Sequence, residues 1–311
     1  MQHNRITILA SYVTELIFHV PRIMRLGETI EGSFETGYGG KGFNMAVAAK
    51  RAGGNVNVIM KVGNDVFGDN AIRILKEEGI ATDAVYRDDV KPSGAGVVLL
   101  MPNGENAIAI DSGANTALTP AEIEASVGSI HSSAVVLSPL EMPIAAIKRS
   151  FEIAKISGCT TILNPAPAQE LPDDIFQYID ILTPNKTEAE IITGIKLEND
   201  ADVIQAAETL FNKGIPEIVI TRGGEKAYYK NKHESAFIYP PKVNVVDTTG
   251  AGDAFNGMLA HAVAQGKNFT DAVADAVYYA ALKVTRNGTS KAMPFLSEYD
   301  AFRQTVNNKR S

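Results

Sequence analysis

Short apolar runs alternate with amphipathic stretches along most of this chain. Ile6 to Ala10 is an apolar run ending in a small residue, which predicts a buried first strand. Residues 12–38 are irregular and carry alternating stretches such as Glu28 to Thr36, the pattern of exposed strands. Gly37-Tyr38-Gly39-Gly40-Lys41-Gly42 then feeds a helix from Phe43 to Ala52 that stops at Gly53-Gly54. A strand follows over 55–62, and a helix over 70–78 ends at Gly79. Gly94 to Met101 and Ala107 to Ile110 are apolar runs joined by Pro102-Asn103-Gly104-Glu105, a hairpin signal. A hairpin is antiparallel, so this segment is expected to form, with residues 12–38, a small β-layer over the site.

From residue 120 the rhythm is regular. It predicts helix 120–127, strand 134–138, helix 143–156, strand 160–164, helix 173–178, strand 179–183, helices 187–193 and 200–213, and strand 217–221. Short uninterrupted apolar strands alternating with helices indicate a parallel sheet covered on both faces. Its ligands are expected at the carboxyl ends of the strands. A second hairpin is expected over 228–239, then helices at 254–265, 269–286 and 297–307. No repeat, low-complexity tract or linker interrupts the chain, so residues 1–311 are expected to form one domain with a β appendage.

Composition narrows the function. The 311 residues are 45% hydrophobic and 21% charged, with a net charge of −7 and interspersed signs. That balance argues against nucleic acid or an anionic membrane as the main partner. Cys159 is the single cysteine, which excludes an internal disulfide and suits a reducing, cytoplasmic setting. No signal-peptide pattern and no membrane-length apolar run is present. The five histidines, His3, His19, His131, His233 and His261, are scattered without transition-metal spacing. Lys41 is followed by Gly42 rather than Ser or Thr, so the early glycine loop is not a Walker A motif, and no GxGxxG follows a strand.

The densest chemistry lies at Asp247-Thr248-Thr249-Gly250-Ala251-Gly252-Asp253. The β-branched run Val243 to Val246 enters it as an expected strand, and an alanine-rich helix leaves it. Small residues at a helix start let exposed N–H groups approach a ligand, and such a nest favours phosphate. Asp253 has two readings there. It caps the helix, or it is a general base taking a proton from a hydroxyl that attacks a phosphoryl group held by the nest.

Three further loops follow predicted strands: Asn164 to Ala168, Thr183 to Glu190, and Thr221-Arg222-Gly223-Gly224-Glu225-Lys226. Asn185 and Glu188 read first as a capping box. Their other reading is a pair of oxygen donors near hydrated Mg²⁺ and phosphate. Thr221 and Gly223 read first as a turn.

Together these stretches resemble the ribokinase-type (PfkB) sugar kinase family over nearly the whole chain. The resemblance rests on Gly39-Gly40-Lys41-Gly42-Phe43-Asn44, Gly113-Ala114-Asn115, Asn164-Pro165-Ala166-Pro167-Ala168, Thr183-Pro184-Asn185-Lys186-Thr187-Glu188 and Asp247 to Asp253. It implies a three-layer α/β/α domain with a mostly parallel central sheet and a small β-sheet lid built from about 12–38 and 94–111. It implies a homodimer through the lid and ATP-dependent phosphorylation of a sugar hydroxymethyl group, D-ribose to ribose 5-phosphate first, with Mg²⁺ and a monovalent cation such as K⁺. Carried over, Asp253 is the base, and Gly250, Ala251 and Gly252 form the anion hole. Gly40, Lys41, Asn44, Glu15 and Glu141 meet the sugar. Asn185 and Glu188 serve Mg²⁺ and phosphate, while Thr221, Gly223, Gly224, Lys226, Gly252 and Val277 line the nucleotide. Asp247 and Thr249 hold K⁺ with carbonyls of Lys283, Arg286 and Gly288.

The chain departs from the family pattern at the sugar wall. Val13 stands where the family has an Asn that holds ribose hydroxyls, and Glu15 stands for its Asp. These changes keep another furanose open as substrate: deoxyribose, a ketohexose or a nucleoside. A catalytically silent sugar-binding regulator is the reading from a different class. Two smaller departures are Lys226, where the family often has Gly, and Ala292, where it has a Ser near the cation site.

Overall fold

In alternate positions of each central strand, side chains enter one of two separate cores. Ile6 and Ile8 lie in one and Leu9 in the other; Val135 and Leu137 lie in one and Val136 in the other. A strand apolar on both faces must be covered on both, and the computed structural model, which describes residues 4–308, shows that arrangement. His3 lies outside the described residues.

The nine-stranded main sheet comprises β1 (Arg5–Ala10), β4 (Asn55–Gly63), β5 (Ala81–Asp88), β8 (Ser133–Ser138), β9 (Thr160–Leu163), β10 (Ile181–Leu182), β11 (Glu217–Ile220), β12 (Ala227–Lys230) and β13 (Ser235–Ile238). Their order is β13-β12-β11-β10-β9-β8-β1-β4-β5. All neighbours are parallel except the β11–β12 and β12–β13 pairs. The chain runs outward from β1 in both directions, so the order reverses between β1 and β8, where a doubly wound sheet opens its crevice.

Helices α1 (Lys41–Arg51), α2 (Val66–Glu77), α8 (Ala251–Ala264) and α9 (Phe269–Lys283) bury residues in the first core. Helices α3 (Pro120–Ala125), α4 (Val127–His131), α5 (Ile144–Ile156), α6 (Lys186–Thr193) and α7 (Asp200–Asn212) bury theirs in the second. Tyr299 of α10 (Leu296–Asn308) joins the first core.

A separate four-stranded sheet is built from β2 (Val13–His19), β3 (Ser33–Gly39), β6 (Gly94–Leu100) and β7 (Asn106–Asp111), in the order β3-β2-β6-β7. This is the expected lid. Its root is clamped by Asn115, whose Oδ1 accepts from the Tyr12 N–H at 2.9 Å and whose Nδ2 donates to the Tyr12 carbonyl at 2.8 Å.

Several expectations need correction. The run Val243 to Val246 is not a strand; it crosses the surface as irregular chain, with Val245 and Val246 each 56% exposed. Edge strand β5 was missed because charged residues interrupt its apolar pattern. The helix expected at 70–78 begins at Val66, where Asp65 caps it by accepting from the Gly68 N–H at 2.8 Å. The helix expected at 120–127 breaks at Ser126, whose hydroxyl bonds back to the Glu122 carbonyl at 2.9 Å. Residues 173–178 form a 3₁₀ helix, and the helix expected to reach 286 ends at Lys283.

Candidate active site

Five polar residues stand just past the carboxyl ends of parallel strands: Ser11 after β1, Glu141 after β8, Asn164 after β9, Asn185 after β10 and Thr221 after β11. At the switch point the Ser11 hydroxyl donates to Glu141 Oε2, which also accepts the Lys41 backbone N–H at 2.7 Å. Glu141 therefore fixes the glycine loop against the sheet, a positioning role that the sugar-wall expectation did not include. The loop needs Gly40 itself: φ is +96°, and a Cβ there would lie 2.5 Å from the Ser11 carbonyl oxygen.

Asp253 does not cap its helix. Gly250 holds the cap position in the left-handed region (φ 76°), and Asp253 is the third helical residue. Its carboxylate faces α1 instead, and Oδ2 accepts from Asn44 Nδ2 at 2.8 Å. Burial pushes the Asp253 carboxyl up to about 6, against the pull of Lys41 and the Asn44 bond. Among the described residues the Asn44 side-chain oxygen is buried without a protein partner. A buried acceptor left unpaired is costly, so this atom is suited to a hydroxyl donor from a ligand.

The first i to i−4 bond of α8 runs from the Ala254 N–H to the Gly250 carbonyl. The N–H groups of Gly252 and Asp253 lie before it and point out of the helix start. Ala251 and Gly252 also line a cavity of about 540 Å³. Thr221, Gly223, Gly224 and Val277 line it as expected. Lys226 does not: its ammonium pairs with Asp200 and sits 4.4 Å over the Phe237 ring, while its neighbours Glu225 and Ala227 line the cavity. The unexpected walls are Val243 and Val245 on one side and Ala280, Ala281 and Val284 on the other. The latter sit with Val277 at helical spacing, a signal that reads as ordinary core until the structure leaves it facing a cavity. An apolar slot that opens onto helix-start N–H groups fits a base joined to phosphates.

Asn185 and Glu188 form the capping box in full. Glu188 N–H donates to Asn185 Oδ1 at 2.9 Å, and Glu188 Oε2 accepts the Asn185 N–H at 2.8 Å. Glu188 is nevertheless buried beside the site; burial pushes its carboxyl up, with Lys41 and Asp253 as its charged neighbours. Thr183 ties this loop to α8 by donating to Asn256 Oδ1 at 2.6 Å. Two oxygen-bearing side chains fit a Mg²⁺ ion that keeps most of its waters and phosphate ligands.

The expected K⁺ site is different. Asp247 Oδ1 accepts the Thr249 N–H and Oδ2 accepts the Gly288 N–H, each at 2.9 Å. The Arg286 guanidinium pairs with Glu298, a contact of its side chain and not of the carbonyl that was expected. The carbonyls of Asp247 and Thr249 both accept from Lys283 Nζ, the first at 3.1 Å. Lys283 contributes its side chain where only its carbonyl was expected. An ammonium already holds these oxygens, and Ala292 supplies no side-chain oxygen, so the residues do not fit K⁺. Burial pushes the Lys283 pKa down, while Asp247 and Asp253 pull it up.

On the lid, the Glu15 carboxylate lies across Gly37 and Gly39, where any Cβ would collide with it. Burial pushes the Glu15 carboxyl up; Lys291 pulls it down and Asp247 adds to the rise. Val13 and Glu15 share one face of β2. Tyr12 and Thr14 do not stand in for the missing amide: Thr14 Oγ1 donates to the Tyr12 hydroxyl at 3.2 Å, and both are buried.

Among the described residues no helix is long and apolar enough to cross a membrane. Residues 4–296 match the model of the pfkB family carbohydrate kinase. A ribokinase of Haemophilus influenzae is 35% identical over 94% of this chain and 96% of its own length. A deoxyribokinase of Salmonella typhimurium is 34% identical over 96% of this chain and 98% of its own. The structure of Arabidopsis thaliana ribokinase complexed with ribose and ATP superimposes with a TM-score of 0.91 at 26% identity, covering 97% of this chain and 99% of that one. The chain belongs to the pfkB family of carbohydrate kinases and is a sugar kinase, a phosphotransferase with an alcohol group as acceptor.

Proposed function

We propose that this sugar kinase transfers the γ-phosphoryl group of ATP to the hydroxymethyl group of a furanose, converting D-ribose to ribose 5-phosphate. The observation that carries the reading is the placement of Asp253. Its buried carboxylate lies at the helix start whose N–H groups open on the cavity, with the unpaired Asn44 oxygen beside it. With its pKa near 6, Asp253 is ionised at neutral pH and able to accept the hydroxyl proton. Of the expected Gly250, Ala251 and Gly252 anion hole, the Ala251 N–H is taken by the Thr248 carbonyl at 3.1 Å, so the N–H groups of Gly252 and Asp253 hold the transferring group, and Lys41 adds positive charge on the sugar side. Mg²⁺, when bound with the nucleotide near Asn185 and Glu188, neutralises phosphate charge.

A second reading, 2-deoxyribose as sugar, is favoured by Val13. An apolar wall neither selects a hydroxyl strongly nor rejects it strongly. The similarity to a deoxyribokinase at 34% identity supports keeping it. We further propose a homodimer through the lid, supported by the exposed apolar residues Phe34, Ile108 and Ile110.

The test is a coupled ADP-release assay with ATP and Mg²⁺ against ribose, deoxyribose, fructose, tagatose and nucleosides. Ribose giving the highest kcat/KM supports the first reading, and deoxyribose the second. ATP and sugar binding without ADP release would replace both with a silent regulator.

A further inference from the structure

Lys283 is the last residue of α9, where a lysine ordinarily reaches solvent beyond the helix carbonyls. Here it is fully buried. A buried ammonium is costly unless its donors are satisfied and a counter-charge is near. Lys283 meets both conditions at one place. Nζ donates to the carbonyls of Asp247 and Thr249, and the carboxylates of Asp247 and Asp253 are its charged neighbours. The carbonyls belong to the loop that ends at Gly250, the residue that starts α8 and its anion-binding N–H groups.

A monovalent cation at such a place would do two things. It would gather carbonyl oxygens that otherwise repel one another, and it would put one positive charge behind the phosphoryl site. A lysine ammonium is a compact point charge with three donors, so it does both. Because it is covalently attached, its occupancy does not depend on the ions in solution.

We propose that the Lys283 ammonium is a built-in replacement for the monovalent cation, and that phosphoryl transfer by this chain runs without K⁺. The proposal rests on the kinase reading. Lys283 acts through the 247–250 loop and is a positioning residue, not a catalytic one.

The experiment compares turnover with tetramethylammonium as the sole monovalent cation and with added K⁺ or NH₄⁺, and records thermal melting in the same buffers. Wild-type rates are expected to agree within about twofold. Lys283→Ala empties the carbonyl cage; it should lose about a hundredfold in kcat without K⁺ and regain it saturably with K⁺ or NH₄⁺. Lys283→Met removes the charge but fills the space, so it should lose as much and not be rescued. Saturable activation of the wild type by K⁺ overturns the proposal, and so does a folded Lys283→Ala variant that K⁺ does not rescue. If Lys283→Ala does not fold, the wild-type response decides alone. If no sugar is phosphorylated, the kinase reading fails separately and melting still tests the inference. K⁺ raising the melting temperature of Lys283→Ala and not of wild type supports it, and K⁺ raising that of wild type overturns it.

Discussion

Asn44 Nδ2 donates to Asp253 Oδ2 at 2.8 Å, joining the helix after the first glycine-rich loop to the helix after the second across 209 residues of sequence. The bond selects the ionised form of Asp253, because a carboxylate is the better acceptor. Asn44→Ala should therefore move the acid limb of the kcat/KM profile to higher pH. Since a hydrogen bond to a charged group contributes about 1.5–3 kcal/mol, kcat/KM at neutral pH should fall about 10- to 100-fold. A pH–rate series on both proteins checks the direction. An unmoved limb would mean that the acid titration belongs to another group.

Asp253→Asn separates chemistry from stability. Loss of the base should lower kcat by at least about a thousandfold while ATP still binds, measured by calorimetry. The stability effect runs the other way. Burial raises the folded-state pKa from 3.8 to about 6. The folded protein then holds the proton more tightly than the unfolded chain, so stability is fully present below the ordinary value and is lost as pH rises through about 6. The ionised carboxylate costs about 3 kcal/mol at neutral pH on this basis. Asp253→Asn should melt higher than wild type at pH 7.5, and the gap should shrink at pH 5. Equal melting at both values would show that the carboxylate is better solvated than its burial indicates.

The sugar wall gives a specificity prediction. Val13 lies on the Glu15 face of β2 and offers no hydrogen bond, so ribose should lead deoxyribose in kcat/KM by only about a few-fold. Val13→Asn adds a donor and an acceptor at that position. The ratio of kcat/KM for ribose over deoxyribose should rise about tenfold or more, with KM for ATP unchanged. A ratio that stays constant would place the 2-hydroxyl away from this strand.

The nucleotide slot gives another. Ala281 lines the cavity from α9 and is 7% exposed. Ala281→Leu should raise KM for ATP about tenfold and leave KM for the sugar within twofold, because it fills space without touching the Asp253 side. Steady-state kinetics in both substrates would show it. An effect on the sugar KM alone would relocate the nucleotide.

These residues were unequally legible before the fold was known. The parallel sheet and its helices could be read because buried strands must be apolar on both faces, and Asp253, Gly250 and Gly252 stood out by local density of small and acidic residues. Asn185 and Glu188 satisfied a capping box, which is what they form, so the nearness of Glu188 to Asp253 had no local signature. Val243 to Val246 is β-branched like a strand, yet it borders a cavity as irregular chain. The family resemblance implied only a carbonyl from Lys283, and a lysine in the last turn of a helix normally faces water. Only tertiary packing turns its ammonium inward. The strand-edge position of β5 was hidden in the same way, because an edge needs fewer apolar residues than the interior.

The lid carries the last prediction. Its edge strand β7 exposes Ile108 at 55% and Ile110 at 64%, and Ile108 pairs with Val98 of β6. On the other edge Phe34 is 54% exposed and packs tilted against Phe18, with ring centroids 4.8 Å apart. A small sheet with apolar residues exposed at both edges is a template for pairing unless a partner covers it. If two lids pack together, Ile108→Lys places a charge in the contact and should shift the protein from dimer to monomer in sedimentation velocity. The substitution touches no residue around Asp253, so the monomer should keep its fold by circular dichroism. A wild type that sediments as a monomer would instead leave these isoleucines to the closing of the lid over bound sugar. In that case Ile108→Lys should raise KM for the sugar without changing the sedimentation coefficient.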